Sequence, residues 1–303
     1  MTKKIITVCL TTVVAMGNHR LAAQELGLTY TTEWQTDFQK GTNWVNLLRA
    51  DFSQPIGRQI SLDVTSISIA KSREERLAND LQTFSNIEEE NIPLALAVLG
   101  CNWQIGKSSF FVGIRNLNED CFNSPCTSLF TNSSCGIFPT LSANYPIANY
   151  PVSSVGADYK LSLDEWLFET SVYNGAGYRQ FTGRENVFRF CPASDGILSV
   201  TSINYKKHGS SYYVGVALHS GVPVCYENGS EEQTQKTEKK ELNEVVWGYA
   251  EQRLSSHAHA LLQYSINPSA DRLPELCRCR IGATLRYYRI RVVCRLCRLY
   301  HRA

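Results

Sequence analysis

Apolar and polar positions alternate strictly, every second residue, along most of this chain. Over residues 26–38 the even positions are Leu26, Leu28, Tyr30, Thr32, Trp34, Thr36 and Phe38, and the odd positions are Gly27, Thr29, Thr31, Glu33, Gln35 and Asp37. Successive side chains of a strand point to opposite faces, so both charges here fall on one face. The pattern returns with Trp44, Leu48, Ala50 and Phe52 against Asn43, Arg49, Asp51 and Ser53, and with Ile60, Leu62 and Val64 against Gln59, Ser61 and Asp63. It returns again with Phe110, Val112 and Ile114 against Gly113 and Arg115, and with Val155, Ala157, Tyr159, Leu161 and Leu163 against Gly156, Asp158, Lys160 and Ser162. Trp166, Phe168, Thr170 and Val172 oppose Glu165, Glu169 and Ser171; Tyr212, Val214, Val216 and Leu218 oppose Gly215 and His219; Ala258, Ala260, Leu262, Tyr264 and Ile266 oppose His257, His259, Gln263 and Ser265. With weaker runs at 92–103, 197–206 and 244–254, about eleven strands precede Pro268.

Many of these runs are about 10 residues long, the length of a tilted membrane-spanning strand, and aromatics gather near their ends, where an interfacial girdle would place them. The prediction is an all-β chain, an antiparallel transmembrane β-barrel of about 12–16 strands. A soluble β-sandwich also alternates; the long strands, the aromatics on the apolar face and the export leader described next favour the barrel. The charged segment 71–90 lacks period two and reads as helix or loop, and the Glu/Gln/Lys run at 231–241 as a solvated external loop.

The N-terminus reads as a signal peptide over residues 1–23: Lys3 and Lys4, a short apolar run from Ile5 to Met16, then Ala22-Ala23 as small residues before a cut at Gln24. The alternative is an N-terminal strand. No stretch approaches the roughly 20 apolar residues of a membrane helix, so a membrane would have to be crossed by strands. Residues 24–270 form the expected barrel, and 271–303 a distinct tail. From Arg272 to Ala303 there are nine Arg and one acid, whereas residues 1–271 hold 21 bases and 27 acids. A protein that binds nucleic acid does not confine its basic excess to one terminal segment, so nucleic acid is not an expected partner. In the tail Arg occurs at both parities, as Arg278, Arg280 and Arg286 and as Arg289, Arg291 and Arg295. Each Arg at the lipid midplane costs about 2–4 kcal/mol, so Glu275 to Ala303 is not expected to form a native barrel strand, and barrel closure is left open at the C-terminus.

Residues 118–152 form a long irregular stretch containing Pro125, Pro139, Pro146 and Pro151. Within it, Ser128-Leu129-Phe130-Thr131-Asn132-Ser133 through Gly136, then Leu141-Ser142-Ala143-Asn144 and Tyr150-Pro151, resembles a signature of the carbohydrate-selective porin family. Val155-Gly156 stands where that family begins its next strand. Tyr173-Asn174-Gly175 and Leu218-His219-Ser220-Gly221 are similar to its strand ends, and Trp247-Gly248-Tyr249 and 261–267 to its later strands. The resemblance covers residues 80–270. It implies an outer-membrane barrel, nominally of sixteen strands, that passes sugars by diffusion and has no catalytic set. This sequence departs from the family in its Arg-rich end.

A pore needs a wet lumen and a constriction, and segment 118–152 is the natural constricting loop. Glu33, Asp37, Arg115, Asp158, Lys160, Glu165 and Glu169 could offer hydrogen bonds to sugar hydroxyls, and Trp103, Tyr145, Tyr150 and Tyr173 could stack on sugar CH faces. Cys277-x-Cys279 and Cys294-x-x-Cys297 have loosely zinc-like spacing, but in a tail of odd composition they read as accidental cysteines. His257 and His259 read as lumen-facing polar residues. Cys121, Cys126 and Cys135 could form a disulfide after export, without a readable pairing. His219-Ser220 is surrounded by no nucleophile elbow. The expectation is therefore no enzyme, no cofactor and no metal; the partners are permeating sugars and the lipid bilayer, with room for a homo-oligomer. The competing reading is a structural or adhesive barrel without a useful pore.

Overall fold

A computed structural model describes residues 8–21, 24–38, 41–74, 91–117, 150–179, 185–221, 241–255, 258–267 and 291–294, together with Ser85, Ile87, Glu90, Cys121, Phe122, Leu141 and Tyr145. The chain is one antiparallel meander. Its strands are β1 (Val8–Leu21), β2 (Gln24–Thr36), β3 (Thr42–Pro55), β4 (Ile60–Lys71), β5 (Ile92–Ile105), β6 (Ser108–Arg115), β7 (Ser154–Leu163), β8 (Trp166–Asn174), β9 (Ile197–Lys207), β10 (Ser210–Gly221), β11 (Glu241–Arg253), β12 (Ala258–Ile266) and β13 (Arg291–Cys294). Each pairs only with its neighbours in sequence, in the order β1 to β13. The eleven strands β2–β12 coincide with the predicted runs. Among the described residues no ladder joins β1 to β13.

The faces are inverted relative to a soluble protein. Leu28, Trp34, Trp44, Leu48, Phe110, Val112, Trp166, Val172, Val214, Leu218 and Leu262 are exposed on one face, while Glu33, Gln35, Asn43, Thr65, Asp158, Ser202, Asn204, His219, Glu251 and Ser265 are buried on the other. Val112 is 52 % exposed and Glu33 is 0 % exposed. A water-soluble sandwich would bury the first set. A sheet with lipid outside and a polar interior shows this arrangement.

The connections are equally asymmetric. At one end of the sheet the strands are joined by short turns, at 56–59, 106–107, 164–165, 208–209 and 254–257. At the other end β2 and β3 are joined by a short turn, and the remaining strand pairs are separated by longer stretches of sequence, 72–91, 116–153, 175–196 and 222–240. Short turns on one side and long loops on the other are the habit of outer-membrane barrels. The turn at His208-Gly209 has positive φ at both residues, 52° and 80°, which matches the twist of the strands it joins. Outward aromatics mark the short-turn end: Phe110 packs on Tyr159 and Trp166 on Tyr205, each with ring centroids 4.7 Å apart. Trp34 and Trp44 face each other near the opposite end.

Two segments bear on the expected boundaries. Val8–Leu21, read from sequence as part of a leader, lies against β2 as β1, with a register shift between Ala15 and Gly17. In the tail, Arg291–Cys294 pairs with β12, Leu261 opposite Arg291 and Ala260 opposite Val292. Over four residues the parity is compatible with pairing, so the tail does contribute a short strand; the rest of it lies outside the described residues. The run at 92–103 is one of the weaker ones, and here the β4–β5 register shifts twice, at Thr65/Ser66 and Ile67/Ile69, so that a bulge breaks the period.

Candidate pore lining

Segment 116–153 connects β6 to β7. Its described residues Leu117, Phe122, Leu141, Tyr145 and Val152 are buried in one cluster with Tyr173, Leu198, Val200, Tyr213, Ala217, Val245, Trp247, Tyr249 and Leu261, all from β8–β12. The attachment is both apolar and polar. Phe122 meets Trp247 edge-on at 5.0 Å, and the Tyr213 hydroxyl donates to the Cys121 carbonyl. The Tyr145 hydroxyl donates to the carbonyls of Ala217, at 3.3 Å, and Asn243, at 3.1 Å. Burial, and next the charge of Glu244, hold this phenol well above its ordinary pKa, so it remains a donor. Asn116 donates to the Val152 carbonyl at 2.6 Å, which ties together the two ends of the loop.

Another part of the inner face lies over β5–β7. There Asn102, Ser109, Phe111, Arg115, Asp158 and Lys160 surround a cavity of about 180 Å³. The charges are paired. Arg115 Nη1 lies 3.1 Å from Asp158 Oδ2, and Lys160 Nζ lies 3.2 Å from Glu169 Oε1. Asp158 also accepts from the Tyr173 hydroxyl at 2.6 Å. The Arg115 guanidinium rests 4.2 Å from the Phe111 ring centroid. A second charged group lies on the same face of β3 and β4, where Arg49 forks onto Asp51, Thr65 donates to Asp51 at 2.8 Å, and Ser53 donates to Asp63 at 2.7 Å.

The strand-end motifs singled out from sequence meet in space. The buried His219 ring donates to the Gly175 carbonyl at 2.8 Å and lies edge-on to Tyr145 at 5.4 Å. Asn174 donates to Asp195 at 2.8 Å and accepts from the Cys191 amide at 2.9 Å. Asp195 also accepts from Ser194, Tyr178 and Arg189. Burial alone would raise its pKa, but donors from Ser194, Asn174 and Tyr178, with the Arg189 charge, carry it below the ordinary carboxylate value. The result is a knot that ties the loop ends of β8, β9 and β10 beneath the inward loop.

The structure distributes the predicted lining residues unevenly. Arg115, Asp158, Lys160, Glu169 and Tyr173 come together at or beside the cavity. Tyr145 is wholly buried as a loop anchor, and Tyr150 packs near Ile67, Ala95 and Ala97 on the β4–β5 side. Glu33 is inward and accepts from Gln35 at 3.0 Å. Asp37 closes the β2–β3 turn by accepting from the Gly41 amide at 3.1 Å. Glu165 sits in the short turn before β8, far along the chain axis from the inward loop, where Lys207 at 3.0 Å and then the Tyr205 hydroxyl lower its pKa. Trp103 is corrected: it pairs with Phe110 and Ile60 on the outer, apolar face, because its parity in β5 is that of Phe110 in β6. Asn102 and Ser109, on the opposite parity, line the cavity instead. They and Phe111 escaped the sequence reading because only charges and prominent aromatics were followed there. Trp247 and Tyr249 lie in the weak run 244–254, where the alternation does not assign a face.

No family model matches the chain, and no curated protein matches its sequence. A solved structure does: the high-pH structure of OprB from Pseudomonas putida superposes with a TM-score of 0.61 at 13 % identity, covering 82 % of this chain and 67 % of that one. The shared architecture is the antiparallel β-barrel fold of that protein.

Proposed function

We propose that this chain is a passive outer-membrane pore that admits uncharged sugars. The observation that carries the reading is the pairing of every charge beside the open cavity: Arg115 with Asp158 and Lys160 with Glu169. Such pairs present many donors and acceptors yet little net field. A neutral polyol gains hydrogen bonds there, whereas an ion of either sign gains no steering. The resemblance of segment 128–151 to carbohydrate-selective porins points the same way, as does the fold shared with OprB.

The reading includes a leader, residues 1–23, removed on export. β2 then becomes the free edge to which a closing strand pairs. Liposome swelling tests the function. Reconstituted protein should admit glucose faster than gluconate, which is of similar size but charged. Swelling equal to that of empty liposomes would defeat the pore; equal rates for the two solutes would defeat only the selectivity. The apolar packing of Phe122, Leu141 and Tyr145 across β8–β12 is what a structural barrel without a pore would also show. Planar-bilayer conductance separates the two, since only the first carries steady current.

A further inference from the structure

Three glycines lie side by side across the inner wall. In the ladders, Gly100 of β5 faces Gly113 of β6, and Gly113 faces Gly156 of β7. The row continues into Tyr173 of β8 on one side and Asp63 of β4 on the other. None of the three has room for a side chain. A Cβ on Gly100 would stand 2.4 Å from the Phe111 ring and one on Gly156 2.3 Å from the Tyr173 ring, while one on Gly113 would meet the backbone of Leu99 at 2.3 Å. The row is thus a shallow trough into which two aromatic rings fold flat, as rings commonly cover strand glycines.

The trough also explains how Arg115 reaches its partners. Arg115 and Phe111 are two inward positions apart on β6, about 13 Å along a strand. The inward position between them is Gly113. With no side chain there, the Arg115 guanidinium runs along the wall to stack on Phe111 at 4.2 Å and to bond Asp158, which is the cross-strand partner of Phe111. Asp158 is fixed in turn by Tyr173, whose ring lies over Gly156.

We infer that the Gly100–Gly113–Gly156 row and the Phe111 ring are positioning elements that hold the Arg115–Asp158 pair flat against the wall, and so set both the width and the charge neutrality of the permeation lane. This rests on the pore reading above and deepens it. Without the ring, the guanidinium loses its platform and swings into the lane as a less compensated cation. Anions then enter more easily.

The test is liposome swelling with glucose and gluconate on the whole protein. Phe111→Leu keeps an apolar side chain but removes the ring. It should cut the glucose-to-gluconate rate ratio by about threefold, in line with a modest cation–π contact. Gly100→Ala should instead lower the rate for both solutes, because the displaced ring narrows the lane. If that variant fails to insert, Phe111→Leu alone carries the test. Phe110→Leu, one residue away on the outer face, is the control and should leave the ratio unchanged. Wild-type swelling with the same ratio in Phe111→Leu, or an equal change in Phe110→Leu, would overturn the inference and leave the pore intact. Wild-type protein that admits no glucose would remove the pore reading and this inference with it.

Discussion

Val112 and Ser109 lie three residues apart on β6 and face different media. Val112 points outward and is half-exposed; Ser109 borders the cavity and donates to Asn102 at 2.7 Å. Val112→Arg should therefore cost about 2–4 kcal/mol for folding into lipid, and Ser109→Arg far less. Urea titrations of vesicle-inserted protein measure both, and equal losses would reverse the assignment of faces. Asp195 works differently, as the hub of a hydrogen-bonded knot. Replacing it by Asn removes the charge that Ser194, Asn174, Tyr178 and Arg189 all address, and should loosen the 175–196 loop by about 1–3 kcal/mol. The pH dependence has a definite sign. The folded pKa lies below the ordinary carboxylate value, so this contribution is complete above that value and is lost as pH falls through the depressed folded pKa. Protease resistance of the loop should thus be the same at pH 7 and pH 5 in the wild type; a sharp loss by pH 5 would contradict the shift. Glu33 and Asp158 were legible as inward residues because parity alone fixes a face. Trp103 was misplaced because its chemistry suited a sugar while its parity did not.

The inward loop is an element held by side chains that the alternating pattern cannot see. Strand register follows from period two, since a slip of one residue would turn the apolar set into the lumen. Where a 38-residue connection goes depends instead on which inner-face residues can receive it. Those residues are Tyr213, Ala217, Val245, Trp247 and Tyr249, apolar or aromatic on a face expected to be polar. Tyr145→Phe leaves the ring in place and removes the donor to two backbone carbonyls. Open-channel noise in planar bilayers should rise while strand content by circular dichroism stays constant. Trp247→Ala removes the largest buried side chain beneath the loop, at a cost of about 3–5 kcal/mol, and should raise single-channel conductance; conductance unchanged in both variants would mean that the loop does not constrict the path.

At the scale of the whole molecule, the open question of the seam turns on the first strand. β1 lies against β2 with Thr11 opposite Glu33, Val13 opposite Thr31 and Ala15 opposite Thr29. The stretch from Ile5 to Met16 is a short, mostly apolar run behind Lys3 and Lys4. That is the composition of an export leader, which needs only to be apolar, and it gives no reason for the strand to persist in a mature barrel. The mature chain should begin near Gln24, leaving β2 as the edge for closure. Mass analysis of membrane-extracted protein would show this directly, and an intact Met1 would count against it.

Sequence by itself determined the strands, their faces and the inverted solvent relationship. Those follow from an alternation that is local and repeats every two residues, so no tertiary contact is needed to read it. The long irregular segment and its inward fate could be anticipated from length and proline content, though not the wall it would choose. Tertiary structure alone decided that a cavity lies over β5–β7, that Arg115 joins Asp158 while Lys160 joins Glu169, and that Asn174, Asp195 and His219 gather at the ends of β8–β10. It alone placed Gly100, Gly113 and Gly156 in a row. The physical reason is that each of these depends on the register between paired strands, or on a loop packing across several of them, and neither leaves a periodic trace in the chain.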